Sequence, residues 1–243
     1  MIALRCLACA VAIMTLGAFS APGVSKDVTG TAPVVARGPV SLTTSVGDIS
    51  VNTWSNPAVR WVAHEHAADP ADLARLSLQV TRDAGGLSVT AIPFAGCEDC
   101  GIDLSVWVPK TASVTASSAH ADVDINGVSN GVIVRVERGD IQIEAANGDV
   151  VAQTEVGDVS VRVPRLADTR KISLRSIVGN VRLQLPRSAA ATITASTAIG
   201  EIRSDFGTPQ TRMTSQALQT KTGSGDVKVN IGTHTGDVDV LAL

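Results

Sequence analysis

Apolar and polar residues alternate along most of the chain, as in VSLTT before Gly47 and DVSVRV after Gly157. A period of two with β-branched residues is typical of strands that bury one face. One template recurs nine times: an apolar residue, seven positions later glycine or alanine, then an acidic residue or asparagine, then valine or isoleucine. The pattern predicts an all-β protein built from short strands that meet at corners.

The corners are the most regular feature of this repeat. The parity of the apolar positions changes at each corner, so a flat strand would bury its two halves on opposite faces. A bend at glycine returns both halves to one core, and aspartate suits such a turn because it accepts hydrogen bonds from nearby backbone amides. We therefore predict structural corners at Gly47-Asp48, Ala121-Asp122, Gly139-Asp140, Gly148-Asp149, Gly157-Asp158, Gly179-Asn180, Gly200-Glu201, Gly225-Asp226 and Gly236-Asp237.

The corners also define larger units. From Gly157 they follow at Gly179, Gly200 and Gly225, with spacings of 22, 21 and 25 residues and a further strand in between. A unit of about twenty residues cannot bury its apolar side alone, whereas stacked units bury it against their neighbours. The predicted fold is a single-stranded, β-helix-like β-solenoid.

Two regions depart from the repeat. Residues 21–34 are small and polar, which predicts a flexible tether. Between Trp54 and Trp107 the repeat lapses: ARLSLQV and LSVTAI flank TRDAGG as in a β-hairpin, and Asp69 with Pro70 can start a short helical turn. We interpret this second region as an irregular cap that covers the open end of the stack.

The first twenty residues have the layout of a secretory signal peptide. Arg5 precedes the apolar stretch from Leu7 to Phe19, and we place cleavage after Ser20. The alternative, an uncleaved membrane anchor, needs a longer apolar stretch. Residues 35–243 then form the β-strand-repeat domain of an exported protein without a membrane span, located in the periplasm or at the cell surface.

The overall charge balance argues against nucleic acid or an anionic lipid surface as the partner. The chain holds 20 Lys and Arg against 23 Asp and Glu, and only Arg5 of these lies in the signal segment. A mildly acidic chain lacks the excess of positive charge that binds nucleic acid or anionic lipid.

One cysteine pair, Cys97 and Cys100 in the segment GCEDCG, remains after signal cleavage. In an oxidising compartment a local disulfide is the plain interpretation. Metal binding would need further ligands, and no second CxxC is present. A thioredoxin-like role would need a βαβ context.

The other candidate ligands are histidines and corner carboxylates. His64 and His66 would face one side of a strand and form half of a zinc site, although exposed loop residues are the commoner explanation. Stacked carboxylates such as Asp140, Asp149 and Asp158 could attract Ca²⁺, but a single glycine directly before aspartate differs from the calcium-binding repeat. We predict no metal and no cofactor.

Catalysis is not expected either. Rows of acids and bases on a β-helix can process polysaccharides, yet here the carboxylates recur as repeat elements. The chain has no tyrosine, and it contains no GxSxG, HExxH or P-loop motif.

The strands GDISV, GDIQIEA, GDVSVRVP, GNVRLQLP and GDVKVN, with LSVWVP and the signal segment, resemble the bacterial "putative adhesin" family of toast-rack-like proteins with Gly-Asp strand repeats. The resemblance covers about residues 35–243 and implies an elongated solenoid of the cell envelope without defined catalytic residues. The CEDC segment departs from that pattern.

Two functions remain open. The first is a structural or adhesive protein whose partner is an envelope protein or a surface polymer. The alternative is a carbohydrate-binding or polysaccharide-processing module. Scarce aromatic residues favour the first.

Overall fold

The computed structural model describes residues 23–35, 37–83, 86–92, 97, 99–212 and 215–243. The predicted signal segment lies outside these residues. Within them the alternating sequence forms strands β1 to β21, numbered along the chain, and one short helix, α1 (Pro70–Leu73). The predicted all-β class is confirmed.

The strands form two large sheets. Sheet A has ten strands in the spatial order β1 (Val24–Pro33), β4 (Ala58–Ala67), β7 (Gly101–Pro109), β3 (Ile49–Trp54), β9 (Val123–Asn126), β11 (Ile141–Glu144), β13 (Val159–Arg162), β15 (Val181–Leu185), β21 (Val238–Ala242) and β17 (Ile202–Ser204). Sheet B has eleven, in the order β18 (Gln210–Arg212), β19 (Ser215–Lys221), β16 (Ala191–Ile199), β20 (Val227–Thr235), β14 (Lys171–Val178), β12 (Val150–Val156), β10 (Val132–Arg138), β8 (Ser113–His120), β2 (Pro39–Val46), β6 (Gly86–Ile92) and β5 (Ser77–Asp83).

The centre of each sheet is parallel and its ends are antiparallel. Strands β7 to β17 of sheet A and β6 to β16 of sheet B pair in parallel. We call a layer one strand of sheet B together with the next strand of sheet A along the chain. In spatial order the layers are β6/β7, β2/β3, β8/β9, β10/β11, β12/β13, β14/β15, β20/β21 and β16/β17.

The layers are not stacked in chain order. The pair β6/β7 lies outside β2/β3, although it follows that pair in sequence, and β20/β21 is inserted between β14/β15 and β16/β17. The last layer in sequence is therefore an internal one. This placement pairs β21 on both sides and leaves the short strand β17 at the edge, which limits the exposed backbone available for aggregation.

The core lies between the sheets and is built from the inward side of each strand. One inward row crosses sheet B through Leu42, Ala116, Val134, Ala152, Leu174, Ile231 and Ala195, all of them buried. Large and small side chains alternate over most of this row, which lets neighbouring layers interdigitate. Each buried leucine or isoleucine contributes about 1.5 to 3 kcal/mol.

The predicted tether is wrong over its described part. Residues Val24 to Pro33 form β1, which pairs antiparallel with β4 along its whole length. A Cβ atom on Gly30 would lie 2.1 Å from Cζ2 of Trp61, so only glycine lets the indole ring pack across the strand. The segment looked unstructured because its few apolar residues are small, and the large partner, Trp61, comes from β4.

The predicted cap contains the expected elements. Strands β5 and β6 form the antiparallel hairpin, and Asp69 caps α1 by accepting hydrogen bonds from Ala71 N at 2.8 Å and Asp72 N at 2.9 Å. This region lies at the same end of the stack as the β1–β4 pair and leaves β1 and β5 as the terminal strands.

Candidate binding surface

The nine predicted corners fall on two sides of the stack. Seven of them join a strand of sheet B to the next strand of sheet A, and we call these the A-side corners. The other two, at Gly148-Asp149 and Gly225-Asp226, lie at the opposite ends of the sheet B strands, directly before β12 and β20. Gly139 and Gly157 therefore lie on one side of the stack, and Gly148, nine residues from each of them, lies on the other. Likewise, Gly200 and Gly225 lie on different sides, so the spacing between them is not a repeat of one kind of corner.

The glycines of the A-side corners stack directly on one another. Gly157 has a φ of +144°, and a Cβ atom there would lie 2.1 Å from the carbonyl oxygen of Gly139. In the same way, a Cβ atom on Gly179 would lie 2.0 Å from the carbonyl oxygen of Gly157. Glycine is required here both because L side chains rarely adopt this φ and because the next layer occupies the space.

In the A-side corners other than the terminal one at Glu201, the Asp or Asn side chain accepts a hydrogen bond from the neighbouring layer and not from its own turn. The Oδ1 atom of Asp140 accepts a hydrogen bond from Asp158 N at 2.8 Å, and Asp158 accepts one from Asn180 N at 2.7 Å. The complete ladder runs through Asp103, Asp48, Asp122, Asp140, Asp158, Asn180, Asp237 and Glu201. The row is thus explained by folding, as the sequence predicts, with partners one layer away.

A second row was missed from the sequence: buried hydroxyls three residues before the corners. Thr154 donates to the carbonyl oxygen of Gly139 at 3.1 Å, and Ser176 donates to that of Gly157 at 2.8 Å. The members are Thr44, Ser118, Thr154, Ser176, Thr197 and Thr233, all buried. Val136 takes this place in β10. The signal was present as a Ser or Thr at a fixed offset from glycine.

We expect Thr154→Val to lower the free energy of unfolding by about 1 kcal/mol, because the shape is kept while one buried hydrogen bond is lost. Urea unfolding measures the change. Thr115→Val is the matched control, since Thr115 lies half-buried on the outer face of β8. Equal effects of the two substitutions would show that the buried hydroxyl row adds no stability.

A groove crosses the outer face of sheet B along the stack. It consists of three adjoining cavities of about 600, 470 and 430 Å³. The first two share Gln153 and Arg175, and the second and third share Ser196 and Thr233. Because strands are spaced about 4.8 Å apart, the groove from β2 to β16 is roughly 30 Å long.

The floor of the groove is one outward row of paired residues. Along the register it runs through Thr43, Ser117, Arg135, Gln153, Arg175, Gly232 and Ser196. Glu137, Glu155, Ile177 and His234 also line it, just before the corners. Two strand spacings separate Arg135 from Arg175, a backbone distance of roughly 10 Å.

The charges of this groove lack protein partners, in contrast to those of the opposite face. In the described part of the chain, no salt bridge or side-chain hydrogen bond involves Arg135, Arg175, Glu137 or Glu155. On the outer face of sheet A, Arg182 contacts Asp239 at 3.0 Å, and Arg162 lies 3.7 Å from Glu144. The groove therefore offers free cationic and anionic groups to a ligand.

His64 and His66, the weak metal candidates, lie together on the outer face of β4 with their rings 6.2 Å apart. His64 Nδ1 lies 2.7 Å from Asp27 Oδ1, and His66 Nδ1 lies 3.9 Å from Asp103 Oδ2. Among the described residues, no third ligand group converges with the pair, and the corner carboxylates do not converge in threes. Neither set forms a compact metal centre.

Cys97 and Cys100 form a pair at disulfide distance, with Cα atoms 5.7 Å apart. This agrees with the prediction of a local disulfide. Cys100 is buried directly before β7, and Cys97 is half-buried.

The two stacked sheets with Gly-Asp corners define a toast-rack protein. The chain matches the Toastrack DUF4097 family over residues 16–241 and belongs to it, so the resemblance drawn from the strand repeats is confirmed. A search of curated proteins finds no match.

Comparison with solved structures finds one with a similar fold and a second, weaker likeness. A putative cell adhesion protein from Clostridium sporogenes is similar with a TM-score of 0.52 at 10% identity, covering 90% of this chain and 100% of that one. A putative adhesin from Bacteroides fragilis aligns with a TM-score of 0.47 at 14% identity, covering 88% of this chain and 97% of that one. At such identities the first likeness concerns the fold alone.

Across the described residues, no helix has the length and apolar character needed to cross a membrane.

Proposed function

We propose that the protein is an exported, non-enzymatic interaction protein of the cell envelope, adhesin-like in function, and that the groove of sheet B is its binding surface. The layered stack serves as a short, rigid β-solenoid that presents this surface. The observation that carries the proposal is the contrast between the arginines of the two outer faces: Arg162 and Arg182 form ion pairs on sheet A, whereas Arg135 and Arg175 on sheet B form none with any residue that the structure describes.

The lining of the groove favours an extended polypeptide as the partner. Arg135 and Arg175 can bind carboxylates, while Glu137 and Glu155 can bind amines. A polypeptide carries both kinds of group, whereas the two glutamates would repel a uniformly acidic polysaccharide. No tryptophan or phenylalanine lines the groove within the described residues. The lining thus supports a protein partner over the alternative of a carbohydrate module.

The names of the structural neighbours agree with this class of function. The proteins from Clostridium sporogenes and Bacteroides fragilis are described as a putative cell adhesion protein and a putative adhesin. We extend only the general role, adhesion through a surface, to this chain.

The proposal is tested with the double variant Arg135→Ala/Arg175→Ala. Each arginine that forms a charge-assisted hydrogen bond should contribute at least about 1.5 kcal/mol, so binding should weaken more than roughly a hundredfold. The probes are synthetic extended peptides that carry both charge signs and, in parallel, acidic and neutral oligosaccharides. Affinity is measured by surface plasmon resonance at two salt concentrations.

Arg162→Ala/Arg182→Ala is the matched control on the opposite face. These arginines are similarly exposed, and their surface ion pairs add little stability. Peptide binding that the groove variant loses and the control keeps supports the proposal. Equal binding by both variants places the site elsewhere, and selective oligosaccharide binding or turnover would favour the carbohydrate module.

A further inference from the structure

A third potential metal ligand lies beside the two cysteines, where the sequence shows none. Asp72, Cys97 and Cys100 each place one ligand atom within 4.8 Å of the others. Cys100 is buried, and Asp72 and Cys97 are half-buried. Among the described residues this is the one group of three or more His, Cys, Asp or Glu side chains that converges in this way.

Asp72 is held in place by α1. The side chain of Asp69 fixes the first turn of the helix through Ala71 N and Asp72 N. Arg75 lies 3.7 Å from Asp72 Oδ1, which further restrains the carboxylate. Cys100 is set by the start of β7, where Gly101 pairs with His66 of β4. The site therefore joins a helix and a strand that come from different parts of the cap.

The donor set fits a divalent ion of intermediate softness. Zn²⁺ binds cysteine thiolates and carboxylate oxygens in tetrahedral geometry, and sites with three protein ligands keep the fourth position for water. A disulfide sulfur cannot serve as such a ligand, because the thiolate is the form that binds metal. Occupation by zinc and oxidation of the cysteine pair are therefore mutually exclusive.

The geometry points to a redox-gated zinc site at Asp72, Cys97 and Cys100. A small dithiol reductant opens the disulfide, giving two protein thiols and the oxidised cyclic form of the reductant. Zn²⁺ then displaces the two thiol protons and binds both thiolates and the Asp72 carboxylate. Two electrons pass from the reductant to the protein disulfide, and two protons are released on metal binding.

The disulfide form and the zinc-bound form connect different parts of the cap. The disulfide joins residues only 3 positions apart and closes a very short loop, so it restricts the unfolded chain little. Zinc also engages Asp72, which links α1 to the entry of β7. The zinc form adds a cross-link between α1 and β7 that the oxidised form lacks, and this inference does not depend on the proposed groove.

The test measures zinc binding by the full mature chain, before and after reduction with a dithiol that is then removed without oxygen. We expect the reduced protein to bind one Zn²⁺, with a rise in Tm, and to show sulfur-to-metal charge-transfer absorption when Co²⁺ replaces zinc. Asp72→Asn should weaken binding at least about tenfold, since even an outer-shell partner contributes that much.

Asp99→Asn is the matched control, because Asp99 is an exposed acid beside Cys100 whose φ of +57° asparagine tolerates. Zinc bound equally well by oxidised protein would report on His64 and His66 or on surface carboxylates, and it would overturn the inference. The same holds if the reduced protein binds no zinc, or if Asp72→Asn and Asp99→Asn bind it equally. Circular dichroism verifies that both variants fold.

Discussion

Gly157→Ala is expected to lower the free energy of unfolding by about 3 kcal/mol or more. The residue has a φ of +144°, and the added Cβ would lie 2.1 Å from the oxygen and 2.6 Å from the carbon of Gly139. A backbone carbonyl held in the parallel ladder cannot rotate away as a side chain can. Backbone strain and overpacking each cost roughly 1 to 3 kcal/mol, and both apply here.

Urea unfolding followed by circular dichroism measures this change, with Gly232→Ala as the control. Gly232 lies in β20, and its added Cβ would meet Ser196 Oγ at 3.3 Å and Ser196 O at 3.6 Å. Its φ lies outside the left-handed region, so we expect a change of less than about 1 kcal/mol, of either sign. A Gly157→Ala variant as stable as Gly232→Ala would contradict the direct stacking of corners.

Asp158→Ala is expected to cost about 1.5 kcal/mol, the lower end of the range for a hydrogen bond to a charged group, because the corner is exposed. Its Oδ1 accepts a hydrogen bond from Asn180 N at 2.7 Å, and alanine removes that acceptor. Asp158→Asn should cost much less. The chain itself shows that an amide works at this position, since Asn180 Oδ1 accepts from Asp237 N at 2.9 Å.

The alanine and asparagine variants are compared by guanidinium unfolding, in which the denaturant's own salt screens long-range charge effects. A stability loss confined to alanine identifies the hydrogen bond between layers as the role of the corner residue. If asparagine and alanine are equally destabilising, the negative charge itself matters, and a role in binding a cation would gain support.

The ladder explains how layers from distant parts of the chain are joined. Asp48 accepts from Asp122 N, although 74 residues separate them, and Asp237 accepts from Glu201 N across 36 residues in the reverse chain direction. Each corner inside the ladder therefore contributes a donor to one neighbour and an acceptor to the other, and the terminal corner at Glu201 contributes a donor. The inserted layer β20/β21 uses the same contacts as its neighbours, which allows the chain to change the stacking order without breaking the ladder.

The candidate surface was much harder to predict than the fold. Arg135, Gln153 and Arg175 occupy outward positions of three strands, where any polar residue satisfies the alternation. Only the parallel register brings them into one row, and only the contacts around them show that the arginines are free of ion pairs. In the same way, Asp72 becomes a neighbour of the cysteines through the packing of α1, which no spacing in the sequence reveals.

The sequence by itself determined the all-β class, the position of most strands, the bend at the corner glycines and the hairpin and helical turn of the cap. These features follow from local rules, since side chains alternate along a strand and glycine tolerates a positive φ. The tertiary structure decided the order of the layers, the pairing of β1 with β4, the division of the corners between two sides and the groove. Every layer carries nearly the same apolar pattern, so local sequence cannot tell which layer packs against which. That choice depends on long-range contacts at the ends of the stack, where Trp61 covers Gly30 and β20/β21 enters between two earlier layers.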